Sequence, residues 1–397
     1  MLKIVILGGG FGGIYSYKYL LRFSKFIKRN FEIFLVDEKE YFLFTLLLHE
    51  VAAFKVEPNC IIEKYDKILT KNCKFIQGRV EKIDLENKTV YLKDSTKEEL
   101  KYDYLIISLG SKANFYNIPG AQENSFTFKS LEDAIKIRNY IFEKFENFNQ
   151  VREKEVLSEP VLLNFVIVGG GATGVELAAE LADYFYGLSK NSKENNKIKI
   201  ILIEKGNELL MQFSPKLRKI AFNILKKKKV EIILNKGVKE INKDWVKLED
   251  ETLIKTNTVI WTAGVQPNLP ELIGNIQKSK DGRLIVNEFL QLKNYDNVFV
   301  IGDICFFVQE EKPLPQLAQV VAREAKIAAK NILNLINKKP LEKFVYKHKG
   351  DLISLGRYFA IGKINGFNFY GIFAWLVWRI LYILKIFSLM RKIKFFH

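Results

Sequence analysis

A strand-like apolar run leading straight into G-x-G-x-x-G occurs twice in this chain. Ile4-Val-Ile-Leu-Gly-Gly-Gly-Phe-Gly-Gly13 opens it, and Val166-Ile-Val-Gly-Gly-Gly-Ala-Thr-Gly-Val-Glu176 repeats the pattern near the middle. In such a turn Gly8 permits the tight bend and Gly10 lets the backbone approach a pyrophosphate. Gly13 lets the following helix pack close to the strand. The helix N-terminus then presents N–H groups to the phosphates. One glycine turn is weak evidence for a nucleotide. Two in one chain predict that two dinucleotides are held together.

The neighbours of each turn support that reading. After the first, a helix is expected over Ile14–Leu21, and Phe31-Glu-Ile-Phe-Leu-Val-Asp37 reads as a second strand ending in an acid. A carboxylate at about that distance past the glycines binds ribose hydroxyls. After the second turn, Val175-Glu-Leu-Ala-Ala-Glu-Leu-Ala-Asp183 reads as a helix with small residues towards the sheet, and Lys199–Glu204 as a strand again closed by an acid. A carboxylate at Glu204 accepts from a 2′-hydroxyl and repels a 2′-phosphate, which favours NADH over NADPH, although Lys205 follows directly. Glu176 has two readings: an acid that suits the helix N-terminus electrostatically, or a group that reaches the nicotinamide. Both halves end in a glycine exit, Tyr102–Gly110 followed by Ser111, and Val259–Gly264. Such a glycine marks close approach of backbone to a ligand. After the Asp37 strand, Tyr41–Glu50 is expected to pack beside the nucleotide. Pro119-Gly120 marks a crossing between domains, Ser130 caps a helix, and Ser189–Asn196 is a polar surface loop.

The chain has 397 residues, too many for one ordinary core, so two or three domains are expected. Its net charge of +17 suits nucleic acid, an anionic membrane or a lysine-rich surface. No nucleic-acid module accompanies that charge. Cys60, Cys73 and Cys305 show no C-x-x-C spacing, and His49, His348 and His397 are scattered, so neither a disulfide framework nor a metal site is expected. Met1-Leu-Lys runs directly into the first strand, so no secretory signal is expected.

The tail locates part of the charge. From Leu352 to His397 there is no acid, whereas Arg357, Lys363, Arg379, Lys385, Arg391, Lys392 and Lys394 are basic. Phe369–Met390 as one helix would extend roughly 33 Å, enough for a bilayer core. Arg379 at its centre would cost about 2.5–3.5 kcal/mol there. Trp375, Trp378 and Tyr382 form a stripe suited to the interfacial layer, so a helix lying in the membrane surface is expected rather than a span.

These motifs resemble the glutathione-reductase-like flavoproteins with two dinucleotide-binding domains. Within them the chain is most similar to the type II NADH dehydrogenases, from Lys3 to about Lys385. The resemblance implies an α/β fold of two Rossmann-like domains: FAD-binding over 1–115 and 290–335, NADH-binding over 116–289, and an amphipathic membrane-associating region over 336–397. It implies that FAD is held by Gly8, Gly10, Phe11, Gly12, Gly13, Asp37, Glu38, Thr45, Leu46, Ser108 and Gly110. Asn297–Asp303 adds Gly302 and Asp303, the aspartate lying on the ribityl chain, and Ala318 and Gln319 begin a helix approaching the flavin ring. NADH would meet Gly169, Gly171, Thr173, Gly174, Glu176, Glu204 and Gly264, with Glu176 on the nicotinamide side. Gln319, Arg323 and Lys349 would serve a quinone, ubiquinone or menaquinone. The chain departs from the family at Leu46, where a proline is usual, and at Ser108-Leu-Gly110, where Ala-Thr-Gly is usual. Arg323 stands in place of a second glutamine, and the tail is short.

The implied activity is hydride transfer from NADH to FAD and then two electrons to a membrane quinone, without proton pumping. The location would be peripheral, on the cytoplasmic side of the cell membrane, with a homodimer left open. Alternatives are a sulfide:quinone-like or ferredoxin-reductase-like enzyme, or a redox-sensing flavoprotein. The first needs paired cysteines that this chain lacks, and the others leave the basic tail without a role.

Overall fold

In the strand Leu2–Leu7 the run Ile4–Leu7 is apolar, with Ile4, Val5 and Ile6 β-branched, because it is covered on both faces, the requirement for a central parallel strand. In the computed structural model of the chain, Ile4, Val5, Ile6 and Leu7 are fully buried. The structure describes residues 1–24, 30–70, 72–153, 163–189 and 198–385, with backbone alone at 147–153, 188–189 and 385. These fall into two compact units. The first comprises Met1–Leu43, Ile62–Lys112 and Val265–His348; the second comprises Phe44–Ile61, Ala113–Gly264 and the chain from Lys349 onward.

In the first unit a five-stranded parallel sheet runs Val298–Val300, Tyr104–Ile107, Leu2–Leu7, Phe31–Asp37, Cys73–Gln77. The order reverses beside Leu2–Leu7, since its neighbours are the next strand in sequence on one side and a much later strand on the other. That switch point opens a crevice at the carboxyl ends of the strands, where open α/β sheets bind ligands. The helices Phe11–Ser24 and Ala318–Ile336 pack side by side on this sheet. They meet at Gly12, where an added Cβ would lie 3.3 Å from Val321 Cγ1.

The second unit repeats the design. Its parallel sheet runs Phe126–Thr127, Thr258–Trp261, Leu163–Val168, Ile198–Ile203, Glu231–Ile233. Leu163–Val168 pairs residue for residue with Ile198–Ile203, as Leu2–Leu7 does with its own neighbour. The fold is therefore the expected α/β duplication. Both first helices start earlier than the sequence suggests, at Phe11 and Ala172, because the carbonyls of Gly10 and Gly171 already accept from Ile14 and Val175 N–H at 3.0 Å. Ser130 caps Leu131–Glu153 reciprocally: its Oγ accepts from Asp133 N–H at 3.0 Å, and Asp133 Oδ2 accepts from Ser130 N–H at 2.9 Å. This is the capping-box device with an aspartate in the glutamate's place.

The C-terminal region differs from its expectation. Phe369–Gly371 is strand, part of the antiparallel sheet Gly350–Ser354, Ala360–Ile364, Phe367–Gly371, so the helix is only Ile372–Lys385. Among the described residues no helix is long and apolar enough to cross a membrane. The aromatic stripe faces inward. Trp378 and Tyr382 are buried against His49 and Phe44, while Phe373, Leu376, Ile380 and Leu384 are exposed. Large rings bury the most area and so take the protein side. Residues 386–397, with Arg391, Lys392 and Lys394, and the loop positions 190–196 lie outside the described residues.

Candidate functional site

The two glycine turns are built by the same devices. An added Cβ at Gly13 would lie 1.9 Å from Gly8 O, and one at Gly174 2.0 Å from Gly169 O, so only glycine lets each helix pack this close. Gly8 and Gly169, at φ +91° and +114°, make the bend. In front of Gly10 and Gly171 an added Cβ meets nothing within 4 Å. That open space at a helix N-terminus is where a pyrophosphate fits. The strand-end acids reach back to the turns: Asp37 Oδ2 accepts from Gly9 N–H at 2.5 Å, and Glu204 Oε2 from Gly170 N–H at 2.6 Å. Their other oxygens take Lys39 N–H at 2.8 Å and Gly206 N–H at 2.7 Å. Burial raises the Asp37 pKa above its ordinary value, against the pull of the Gly9 and Lys39 N–H groups. The residues present thus fit two dinucleotides.

A latch completes each turn. Ser108 Oγ donates to Leu7 O at 2.8 Å and Gly8 O at 3.1 Å, and Thr262 Oγ1 donates to Val168 O at 2.8 Å and Gly169 O at 3.3 Å. Ser108 is among the residues that the family resemblance implies; Thr262, its counterpart two residues before the second glycine exit, carried no such signal in the sequence.

Elsewhere in the first unit, Phe11 stands edge-on to Phe42 with centroids 5.2 Å apart, and exposed Glu38 faces Arg79 Nε at 3.8 Å. Gly110, at φ +72°, has open space beside it. Gly302, at φ +80°, leads into Asp303, whose Oδ2 accepts from Ser111 Oγ at 2.5 Å and whose carbonyl accepts from Gln316 Nε2 at 2.7 Å. The helix opened by Ala318 and Gln319 has no side-chain cap at Leu317, and its Val320 and Val321 N–H groups donate to Leu317 O at 2.9 and 3.1 Å. Behind Gly302, buried Glu324 Oε2 accepts from its N–H at 2.7 Å. Burial pushes the Glu324 pKa up to about 8. Arg323 donates to the Lys347 carbonyl, and its guanidinium lies 5.0 Å over the Tyr346 ring.

In the second unit Gly264, at φ +71°, lies under Tyr116, whose hydroxyl would be 1.9 Å from an added Cβ. Thr173 is exposed on the first turn of its helix. Thr45 and Leu46 form the short turn Thr45–Leu47, and exposed Lys349 accepts from Asn365 N–H at 3.2 Å. Glu176 points into a buried polar cluster: its Oε1 accepts from Ser354 N–H at 3.1 Å, and His49 Nδ1 lies 3.9 Å from its Oε2. Burial holds the Glu176 pKa well above its ordinary value.

The model of the pyridine nucleotide-disulphide oxidoreductases matches residues 2–325. A probable NADH dehydrogenase of Dictyostelium discoideum is 34% identical over 402 residues, covering 99% of this chain and 87% of that one. The chain belongs to this family, among its type II NADH dehydrogenases. Another member, the type II NADH:quinone oxidoreductase of Staphylococcus saprophyticus, is 29% identical over 377 residues, 93% of this chain and 91% of the relative. Among solved structures, the Plasmodium falciparum NDH2 in complex with NADH superposes with a TM-score of 0.83 at 23% identity, over 100% of this chain and 96% of that one. The sulfide:quinone oxidoreductase of Aquifex aeolicus gives 0.76 at 21% identity, over 96% and 90%, a likeness of fold alone. The three cysteines, Cys60, Cys73 and Cys305, are free. Burial pushes the Cys73 thiol up to about 12 and the Cys305 thiol well above its ordinary value. Neither thiol is poised as a thiolate nucleophile.

Proposed function

We propose that the first unit holds FAD and the second takes NADH, and that the protein oxidises NADH and reduces a quinone at a membrane surface. The observation that carries this is the duplicated turn, each with an open pyrophosphate space and a carboxylate on its own backbone. The relatives named for NADH dehydrogenase and NADH:quinone oxidoreductase activity supply the substrates. When bound, FAD accepts a hydride from NADH and passes the electrons on, so the protein needs no nucleophile of its own.

The chain's residues then have positioning work. Gly10, Asp37, Gly302 and Asp303 would hold FAD, and the uncapped helix start at Ala318 and Gln319 would face the flavin. Gly171, Glu204 and Gly264 would hold NADH, with Glu204 disfavouring a 2′-phosphate. Gln319 and Lys349 would orient the quinone, ubiquinone or menaquinone. Arg323, drawn to Lys347 and Tyr346, would shape the quinone approach through that loop. Glu176 would keep a proton at its carboxyl beside the nicotinamide.

The C-terminal helix supports a peripheral place on the cytoplasmic side of the cell membrane. Its aliphatic face is exposed, and the acid-free basic tail suits anionic lipid, with each cation near the surface adding about 1 kcal/mol.

The test is an anaerobic absorbance spectrum of FAD-loaded protein, bleached by NADH and restored by a short-chain quinone, with steady-state NADH oxidation alongside. Bleaching without quinone-dependent recovery would sink the quinone assignment.

A further inference from the structure

Within the second unit, ionisable groups from three segments meet away from solvent. The helix Leu48–Ala52 and the turn after it bring His49, Glu50 and Lys55, and the helix Ala172–Ser189 brings Glu176 and Glu180. The C-terminal helix brings Arg379, with Trp378 and Tyr382 beside it. Ser354, at the end of Gly350–Ser354, stands between the carboxylates. The next charges outward are engaged elsewhere: Asp183 with Lys228 and the Arg357 N–H, and Arg138 with Glu57.

The pairings are specific. Glu50 has no exposed side-chain surface, and Arg379 Nη1 donates to its Oε1 at 2.8 Å and its Oε2 at 2.9 Å. Lys55 Nζ lies 3.3 Å from Glu50 Oε1 and donates to both oxygens of Glu180 at 3.1 Å. Ser354 Oγ donates to Glu180 Oε1 at 3.2 Å, while its N–H goes to Glu176. Three carboxylates therefore face two cations. His49 adds no charge, because burial pushes its pKa down to about 4. An excess negative charge in a dry region is costly, so the cluster retains a proton instead. Among the described residues Glu176 is the member with no cation against it, and burial raises its pKa.

We propose that Arg379 is a positioning residue for this proton: by neutralising Glu50 it leaves Lys55 to Glu180 and makes Glu176 the protonated member of the cluster. The C-terminal helix then acts as a removable counter-charge. If Arg379 leaves, Glu50 draws on Lys55, the cluster gains negative charge, and its proton is held more tightly. The proposal rests on the reading of Glu176 as the acid beside the redox site. Turnover supplies the reason for such a device: NADH + quinone + H⁺ gives NAD⁺ + quinol, so one proton beyond the hydride is drawn each cycle.

The experiment uses full-length, FAD-loaded protein and follows the infrared C=O stretch of a protonated carboxylic acid through a pH titration. The band is assigned by its loss in Glu176→Gln. In R379M the band should titrate about one pH unit higher, a tenfold gain in proton affinity. R379K should return most of the wild-type behaviour. E50Q/R379M, which removes one charge of each sign, should restore it, and a role confined to docking the helix would not. If R379M fails to fold, E50Q carries the test and should titrate lower than wild type. An absent wild-type band, an unshifted R379M or E50Q, or a double variant that stays shifted would overturn the proposal. None of these readings needs a quinone. Intact infrared behaviour without quinone-stimulated turnover would refute the proposed activity alone.

Discussion

A methyl group at Gly174 would lie 2.0 Å from Gly169 O and 2.7 Å from Thr262 Oγ1, too close for the helix to keep its place. Gly174→Ala should therefore raise the Kd for NADH at least about tenfold while leaving the bound flavin's spectrum intact, as read by anaerobic titration. Glu324 gives a prediction in pH. Its folded pKa of about 8 lies above the ordinary 4.5, so the folded protein binds the extra proton, and the resulting stability is lost as pH rises through 8. Between pH 6 and 8 the wild type should lose on the order of 2 kcal/mol more than Glu324→Gln, read from denaturant midpoints at each pH. Single residues were legible in the sequence where their role is local. Asp37 and Glu204 each close the strand that follows a glycine turn and its helix, and both hydrogen-bond back to that turn. The Arg379–Glu50 pair was not legible, because 329 positions separate its members and no periodicity links them.

At the level of the element, the C-terminal helix shows what a pattern leaves open. Its apolar period was legible, and so was the difficulty of placing Arg379 in lipid. The choice of buried face was not, since an aromatic and an aliphatic face both qualify as apolar. Packing decided it: Trp378 is fully buried and Arg379 turns to Glu50, which leaves Phe373, Leu376, Ile380 and Leu384 outside. The double variant Leu376→Glu/Ile380→Glu should cut liposome binding by about tenfold or more, while circular dichroism and NADH bleaching of the flavin stay unchanged. Binding equal to wild type would move the membrane contact elsewhere.

For the whole molecule, the duplication was the most legible feature because it is written twice in the same local grammar. The boundaries of the two units were harder to read, since Phe44–Ile61 and the chain from Lys349 onward join the second unit across long gaps in sequence. Such assembly depends on tertiary contacts that no local window contains. The charge of +17 also acts at this scale. Association with anionic vesicles should weaken steeply between low and about 0.5 M salt, as the Debye length falls below the reach of the basic surface. Association with neutral vesicles should change little, as measured by co-sedimentation.

The hydroxyl latches of Ser108 and Thr262 have a further consequence. Each ties the end of a central strand to the first carbonyl of the turn, so the turn's backbone is fixed by the protein's own groups. Binding then need not supply the entropy of ordering it, and more of the contact energy can appear as affinity. Because both turns are latched in the same way, a difference in residence time between the two nucleotides has to come from groups beyond the turns.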